Sequence, residues 1–380
     1  MIRFIFYKYF RIRKLYFPYS LLIVWALVQM FLLHTNGIFT QMEAAKYIYH
    51  AKYFLNHGSF VTNNYWLYST IIFLIALCIK LKLSFAFVVA IQFIVNLIAL
   101  FMFYNLSFHF LRNRKLAWIT SFLLACNIFY QWYNTFLYTE SLFFSLTVIY
   151  SSYLLTLKRL RVRDMIFIGF LLALLSFTRP TGILFLVPTI FYIYYRFMNP
   201  LKAYVKTAFV IAWLGIFLFV LNRMMQTGGS LKFMVPFIKE NVICGLDTVT
   251  SVPVNLPENG NSLWGLIQYI FMNSSQFLHL AVLKTMSFWG ILRPYYSLPH
   301  NIGLAIMFYS FYVLGIVGLV IKWKEKDKRL IFLLGIILLY WVTTMLTCDD
   351  WHSRFFLTLT PFIFLLGMSS FINNSWKKVK

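Results

Sequence analysis

The sequence predicts an all-α polytopic membrane protein with about ten transmembrane helices. Three observations predict it. Of the 380 residues, 61% are hydrophobic and 12% charged, where a soluble domain runs at about 45–50% and about 25%. Several apolar stretches approach or exceed the roughly 18 residues that read as a spanning helix. The run 330–346 is typical, and it lacks the period-two alternation of an outer-membrane barrel. Finally, 34 Lys and Arg stand against 10 Asp and Glu, a net charge of +24. These cations gather in short clusters between apolar segments, as in the cytoplasmic loops of membrane proteins, so the surplus calls for no nucleic-acid partner.

Taken in order, Arg3, Lys8, Arg11, Arg13 and Lys14 precede an apolar run from Leu21, and no small-x-small cleavage site follows Leu33. We expect an uncleaved first helix, 19–34, with its N-terminus in the cytoplasm. The basic clusters at 112–115, 158–163, 196–206, 322–329 and 377–380 mark further cytoplasmic segments. Between them, helices at 116–134, 139–157, 165–178, 181–197, 207–225, 301–321, 330–348 and 355–372 alternate in direction. The residue before a proline disfavours helix, so Thr178-Arg179-Pro180 is a turn at the outer face.

Parity decides the region 66–110, which must cross an odd number of times. The run 84–110 is long enough to span, and 66–79 is too short. The segment 66–82 is therefore expected as a re-entrant or surface-lying outer helix. By the same logic 262–292 lies along the outer face, interrupted at Asn273-Ser274-Ser275. This gives a single transmembrane domain over 1–380, with outer loops 35–83 and 226–300, both termini inside and no soluble C-terminal domain. It puts 23 Lys and Arg with 3 acids inside, and 11 with 7 acids outside, the asymmetry the positive-inside rule requires.

Candidate chemistry lies on the outer face. Ionisable groups at membrane depth are costly and are functional candidates by default. Glu43, Glu140, Arg179, Arg293 and Arg354 all fall near outer helix ends, and Lys80 and Lys82 sit between two apolar runs. Cations beside a few carboxylates suit a substrate with a phosphate and a leaving group. The cations hold the phosphate, and a carboxylate takes a proton from the attacking hydroxyl. In the first outer loop Glu43, Tyr47, Ala51 and Leu55 recur every four residues, one face of an amphipathic helix that Gly58 ends. Each candidate has a plainer reading. Glu140 caps a helix N-terminus, Arg179 pins a turn, Arg354 anchors headgroups, and the lysines flank a span. His50, His57 and His352 lack the paired spacing of metal ligands, and no cofactor is indicated. The Tyr and Trp residues at helix ends, such as Trp132, Tyr133, Tyr295 and Tyr296, fit an interfacial belt. Cys78, Cys126, Cys244 and Cys348 show no metal or redox spacing, and no disulfide framework is expected.

Four segments in register carry a family resemblance. They are the loop from Glu43 to Gly58, Leu137-Tyr-Thr-Glu140-Ser-Leu-Phe, Leu171-Leu-Ala-Leu-Leu-Ser-Phe-Thr178-Arg179-Pro180-Thr-Gly182, and Asp349-Asp-Trp-His352-Ser-Arg354-Phe-Phe with Pro361 following. Together they resemble the GT-C glycosyltransferases, especially the dolichyl-phosphate-mannose protein mannosyltransferases and their bacterial polyprenyl-phosphate-sugar relatives. The loop-one acid is Glu where that family usually has Asp, and Phe355 replaces its usual Tyr. The resemblance implies inverting transfer of a sugar from a polyprenyl-phosphate donor to a glycan, lipid or protein acceptor, at the periplasmic or extracellular face of a bacterial inner membrane. It implies Glu43 as general base, with Tyr47, Glu140 and Arg179 in support, and Arg354 as a donor-phosphate ligand. Lys80, Lys82 and Arg293 are further phosphate candidates on position alone. An O-antigen polymerase or ligase acting on lipid-diphosphate-linked glycans is the main alternative. A lipid-linked sugar transporter is another, although no internal repeat is present.

Overall fold

The computed structural model describes residues 18–198, 202–226, 234–246 and 254–372. The N-terminal basic group, the tail lysines, Gly228-Gly229, Asp247 and Pro253 lie outside them. The described residues are helical, with no strand beyond two isolated bridges. Six helices are long and apolar enough to cross a bilayer: Tyr19–Asn36, Ala86–Leu111, Ala203–Gln226, Leu298–Lys324, Arg329–Leu346 and Arg354–Phe371. Length and composition of this kind mark an integral membrane protein.

In chain order, α1 is Tyr19–Asn36 and α2 is Glu43–His57. Gly58 stops α2 in the left-handed conformation (φ 69°) that glycine adopts without steric cost. The buried face of α2 carries Ala44, Tyr47, His50 and Ala51, while Leu55 is exposed. The expected four-residue face therefore loses Leu55. At 3.6 residues per turn each step of four drifts by about 40°, so three steps carry Leu55 about 120° away from Glu43.

A 3-10 turn, Asn63–Tyr68, leads into α3 (Ser69–Lys80), followed by α4 (Ala86–Leu111). At about 1.5 Å per residue α3 is about 18 Å long, short of a hydrocarbon core of about 30 Å. It buries Ile71, Ile72, Ile75 and Ala76, packing on α2, on α4 and on α7 (Val162–Thr178).

The helix expected over 116–134 is instead α5 (Arg114–Ala125) followed by a one-turn helix, Ile128–Gln131, and a 3-10 turn, Trp132–Thr135. The cause is Asn127. Its side chain accepts from the backbone N of Tyr130 (3.1 Å), which caps a new turn. Gln131 Nε2 then donates to the freed carbonyl of Leu124 (2.9 Å).

Two helices form the centre. In α6 (Thr139–Thr156) nearly every residue is buried, Ser141, Ser145, Thr147, Ser151 and Ser152 included. The helix α14 (Arg354–Met368) is the same, although it follows α6 by about two hundred residues. It packs on α12 (Leu298–Lys324), on α13 (Arg329–Leu346) and on α6. Against this pair, α9 (Ala203–Gln226) is peripheral and exposed. Besides a one-turn helix, Val235–Ile238, and a 3-10 turn, Ser369–Phe371, the remaining elements are α8 (Leu186–Phe197), α10 (Leu263–Met272) and α11 (Ser274–Gly290). The last two divide 262–292 at Asn273, as expected.

At the end of α7 the chain turns back on itself. Arg179 is extended, Pro180 opens a 3-10 turn, and Gly182 returns against α7. A Cβ at Gly182 would lie 2.4 Å from the backbone C and O of Leu175. Only glycine fits, which gives the Arg-Pro-x-Gly segment a physical reason. Gly182→Ala is expected to cost about 1–3 kcal/mol or more, as overpacking does. Thermal unfolding in detergent would show a lower midpoint, and an unchanged midpoint would contradict the close approach.

The cysteine expectation is corrected. Cys244 and Cys348 form a disulfide across 104 residues. Spacing along the chain could not reveal it, because the turn after α13 brings the two together only in the folded bundle.

Candidate active site

Four chain segments meet at one point. Glu43 opens α2, Glu140 lies in the first turn of α6, Arg179 follows α7, and Asp350 with Arg354 leads into α14. Arg354 is the hub. Its Nη1 donates to Glu43 Oε2 and to Glu140 Oε1, both at 2.6 Å, and its Nη2 donates to Glu43 Oε1 at 3.2 Å. Its Nε donates to Asp350 Oδ1 at 2.5 Å. Arg179 completes the ring, forming an ion pair with Glu140 Oε1 (Nη1, 2.9 Å) and donating from Nη2 to Asp350 Oδ2 (3.4 Å).

Glu140, Arg179 and Asp350 are buried, so their charges depend on one another. Glu43 is the open member, with 39% of its side chain exposed. Three carboxylates face two guanidiniums, a formal balance of minus one. Burial pushes the Glu43 carboxyl upward, but the hydrogen bond and charge of Arg354 outweigh this and hold it below its ordinary value. Asp350 is lowered in the same way: burial opposes the shift, and Arg354 and Arg179 overcome it.

Neutral phenols close the surroundings. Tyr47 and Tyr68 lie ring to ring at 5.9 Å. Burial, then the charges of Glu140 and Glu43, push Tyr47 well above the usual phenol value. Burial likewise raises Tyr68 and Tyr133, and lifts Tyr138 to about 12. These groups keep their protons at neutral pH.

Beside the cluster lies an apolar cavity of about 410 Å³. Phe39, Phe129, Phe136, Phe308 and Phe356 line it, with Tyr133, Tyr138, Tyr296, His300 and His352 as its polar edges. Met42 and Ser353, which immediately precede Glu43 and Arg354, line it too. Both adopt positive φ (52° and 51°). Left-handed backbone at non-glycine residues costs energy and concentrates at functional sites. Here it aims both members of the central pair.

The geometry sorts the sequence candidates. Glu43, Tyr47, Glu140, Arg179 and Arg354 come together. Lys80 and Lys82 do not: both are exposed at the far end of α3. The near end is fixed by Thr70, which accepts from Thr178 beside Arg179 (3.0 Å). Ten residues of helix separate Thr70 from Lys80, about 15 Å. Arg293 is also excluded as a free phosphate ligand. It is 2% exposed, and its guanidinium pairs with Asp349 and donates to the Ser287 carbonyl (3.0 Å). The expected ring of open cations is thus a closed network in which every arginine already holds a carboxylate. Asp350, Tyr68, Tyr133 and Tyr138 were missed as site residues. Only Asp350 had a usable signal, lying four residues before Arg354.

No group of three or more His, Cys, Asp or Glu side chains among the described residues is arranged to hold a metal ion. In comparison with known proteins, no family model matches the chain, and no curated protein and no solved structure matches it.

Proposed function

We propose that this protein is an integral membrane glycosyltransferase of GT-C type. It moves a sugar from a polyprenyl-phosphate carrier to an acceptor hydroxyl on the non-cytoplasmic face, with inversion. The observation that carries this reading is the contact between Glu43 and Arg354, at 2.6 Å and 311 residues apart in sequence, beside an apolar cavity. The resemblance of the four sequence segments supports it independently. The proposed topology has ten crossings with both termini in the cytoplasm. The Cys244–Cys348 disulfide supports a non-cytoplasmic site, since such bonds persist in oxidising compartments. The membrane is proposed to be a bacterial inner membrane.

The mechanism follows from the closed network. The carrier's apolar chain enters the cavity, and its phosphate competes with Glu43 for Arg354. Glu43 released from Arg354 becomes a stronger base, because burial then acts on it with less opposition. It takes the proton of the acceptor hydroxyl, whose oxygen attacks the anomeric carbon from the face opposite the phosphate. The bond from sugar to phosphate oxygen breaks, and the polyprenyl phosphate leaves as an anion held by Arg354. Arg179 keeps Glu140 and Asp350 in place during the exchange. The donor therefore unmasks the base, and acceptor chemistry waits for donor binding.

A screen of polyprenyl-phosphate sugars with purified protein tests this. Turnover of one of them, with inverted product, is the expected result. Turnover only with lipid-diphosphate-linked oligosaccharides would favour the polymerase or ligase alternative. Movement of the lipid-linked sugar across vesicles without transfer would make the protein a transporter.

A further inference from the structure

The cluster itself is held by a second layer of bonds around Asp349. This side chain is fully buried. Its Oδ2 accepts from Ser287 Oγ (2.8 Å) and pairs with Arg293 Nη2. Its Oδ1 accepts from the backbone N of Asp350 (2.8 Å). Its own backbone is tied on both sides: Asp349 N donates to the Val242 carbonyl and Cys244 N donates to the Asp349 carbonyl, each at 2.8 Å. The disulfide between Cys244 and Cys348 closes this bridge one residue away. Arg293 in turn is fixed by Asn301, which accepts from its backbone N (3.1 Å) and donates to its carbonyl (2.9 Å).

From this anchor the chain runs one residue to Asp350 and five to Arg354. Asp350 then sets both guanidiniums, through Arg354 Nε and Arg179 Nη2. We infer that the Cys244–Cys348 disulfide and the Arg293–Asp349 pair are positioning elements for Arg354, so that the grip of Arg354 on Glu43 depends on the oxidised state of the outer loop. None of these four residues touches Glu43 or Glu140 in any contact described above; they act through Asp350. Reduction by a dithiol moves two electrons and two protons onto Cys244 and Cys348, the reductant becoming its own disulfide. The bridge between 242–244 and 349 then loses its covalent tie. The inference rests on the transferase reading only for its activity readout.

The experiment uses the purified full-length protein, oxidised, reduced and reoxidised. Denaturation and maleimide labelling should find two free thiols, Cys78 and Cys126, before reduction and four after it. Four thiols without reductant would overturn the inference. The second readout is carbodiimide labelling of Glu43 as a function of pH, followed by mass spectrometry, since its midpoint reports protonation and not access. On reduction the midpoint should rise, giving about tenfold more protonated Glu43 at a given pH for each pH unit, and reoxidation should restore it. Asp349→Asn, which keeps the shape but removes the charge, should raise the midpoint in the same direction. A midpoint unmoved by both treatments would reduce the disulfide to a simple staple and end the inference. In the transfer assay donor KM should rise and kcat should fall, because Arg354 holds both the donor phosphate and the leaving anion. If the midpoint responds but no form of the protein transfers sugar, the transferase reading fails and the positioning role stands.

Discussion

Glu43→Gln is expected to lower sugar transfer by about 100- to 10,000-fold, the usual contribution of a positioned general base. Gln keeps the length of the side chain and still accepts a hydrogen bond from Arg354, but it does not take a proton. Because Glu43 is the most exposed member of its cluster, the substitution should leave membrane insertion and thermal stability nearly unchanged. Carrier binding should persist or tighten slightly, since a neutral amide competes less well for Arg354 than a carboxylate does. Turnover and donor affinity measured side by side check this. Full activity in the variant would remove Glu43 as the base. Loss of donor binding in parallel with turnover would assign it to binding instead.

Arg354→Gln should do the greater damage. The side chain contacts three carboxylates, two of them in the buried interior. Removing it moves the formal balance of the cluster from minus one to minus two. Breaking a buried pair by deleting one partner costs about 3–5 kcal/mol, because the other charge is left uncompensated. The pH dependence changes as well. In the native protein Glu43 titrates below its ordinary 4.5. Its contribution to stability is therefore present above the unfolded value and lost as pH falls through the lowered one. Without Arg354, burial is the dominant influence and pushes the carboxyl upward, so stability linked to Glu43 now falls as pH rises through 4.5. Unfolding midpoints between pH 3.5 and 7 measure the change. A variant with native stability across this range would show that the cluster is not held together by Arg354.

Much of the site was legible because its residues sit at chain-level landmarks. Gly58 ends a helix, and Pro180 forbids helix at Arg179. The spacing of Glu43 and Tyr47 puts both near one face. The parts that failed depend on distance in three dimensions. Parity gave Lys80 and Lys82 a side of the membrane but no position along α3. Arg293 carries the same charge as Arg354, and nothing in its neighbours announced that Asp349, 56 residues later, would neutralise it. The break at Asn127 was visible in principle, because asparagine is a favoured N-cap. Hydrophobicity on both sides masked it. Six of the expected crossings are long, apolar helices; 139–157 and 165–178 are each a single helix outside that set, and 116–134 and 181–197 break into short pieces.

The central position of the last long helix has a consequence for how the protein is made. Ribosomes deliver Glu43, Glu140 and Arg179 to the bilayer well before residues 354–368 exist. During that interval the two glutamates are without Arg354, Arg179 is without Asp350, and the place that α14 takes in the bundle is unfilled. Arrival of residues 350–368 does three things in one event. It fills the centre, pairs Arg354 with both glutamates and brings Asp350 to Arg179. A nascent chain thus lacks the Glu43–Arg354 contact until residues 350–368 have been made, and a truncation before Arg354 would leave the centre of the bundle unfilled.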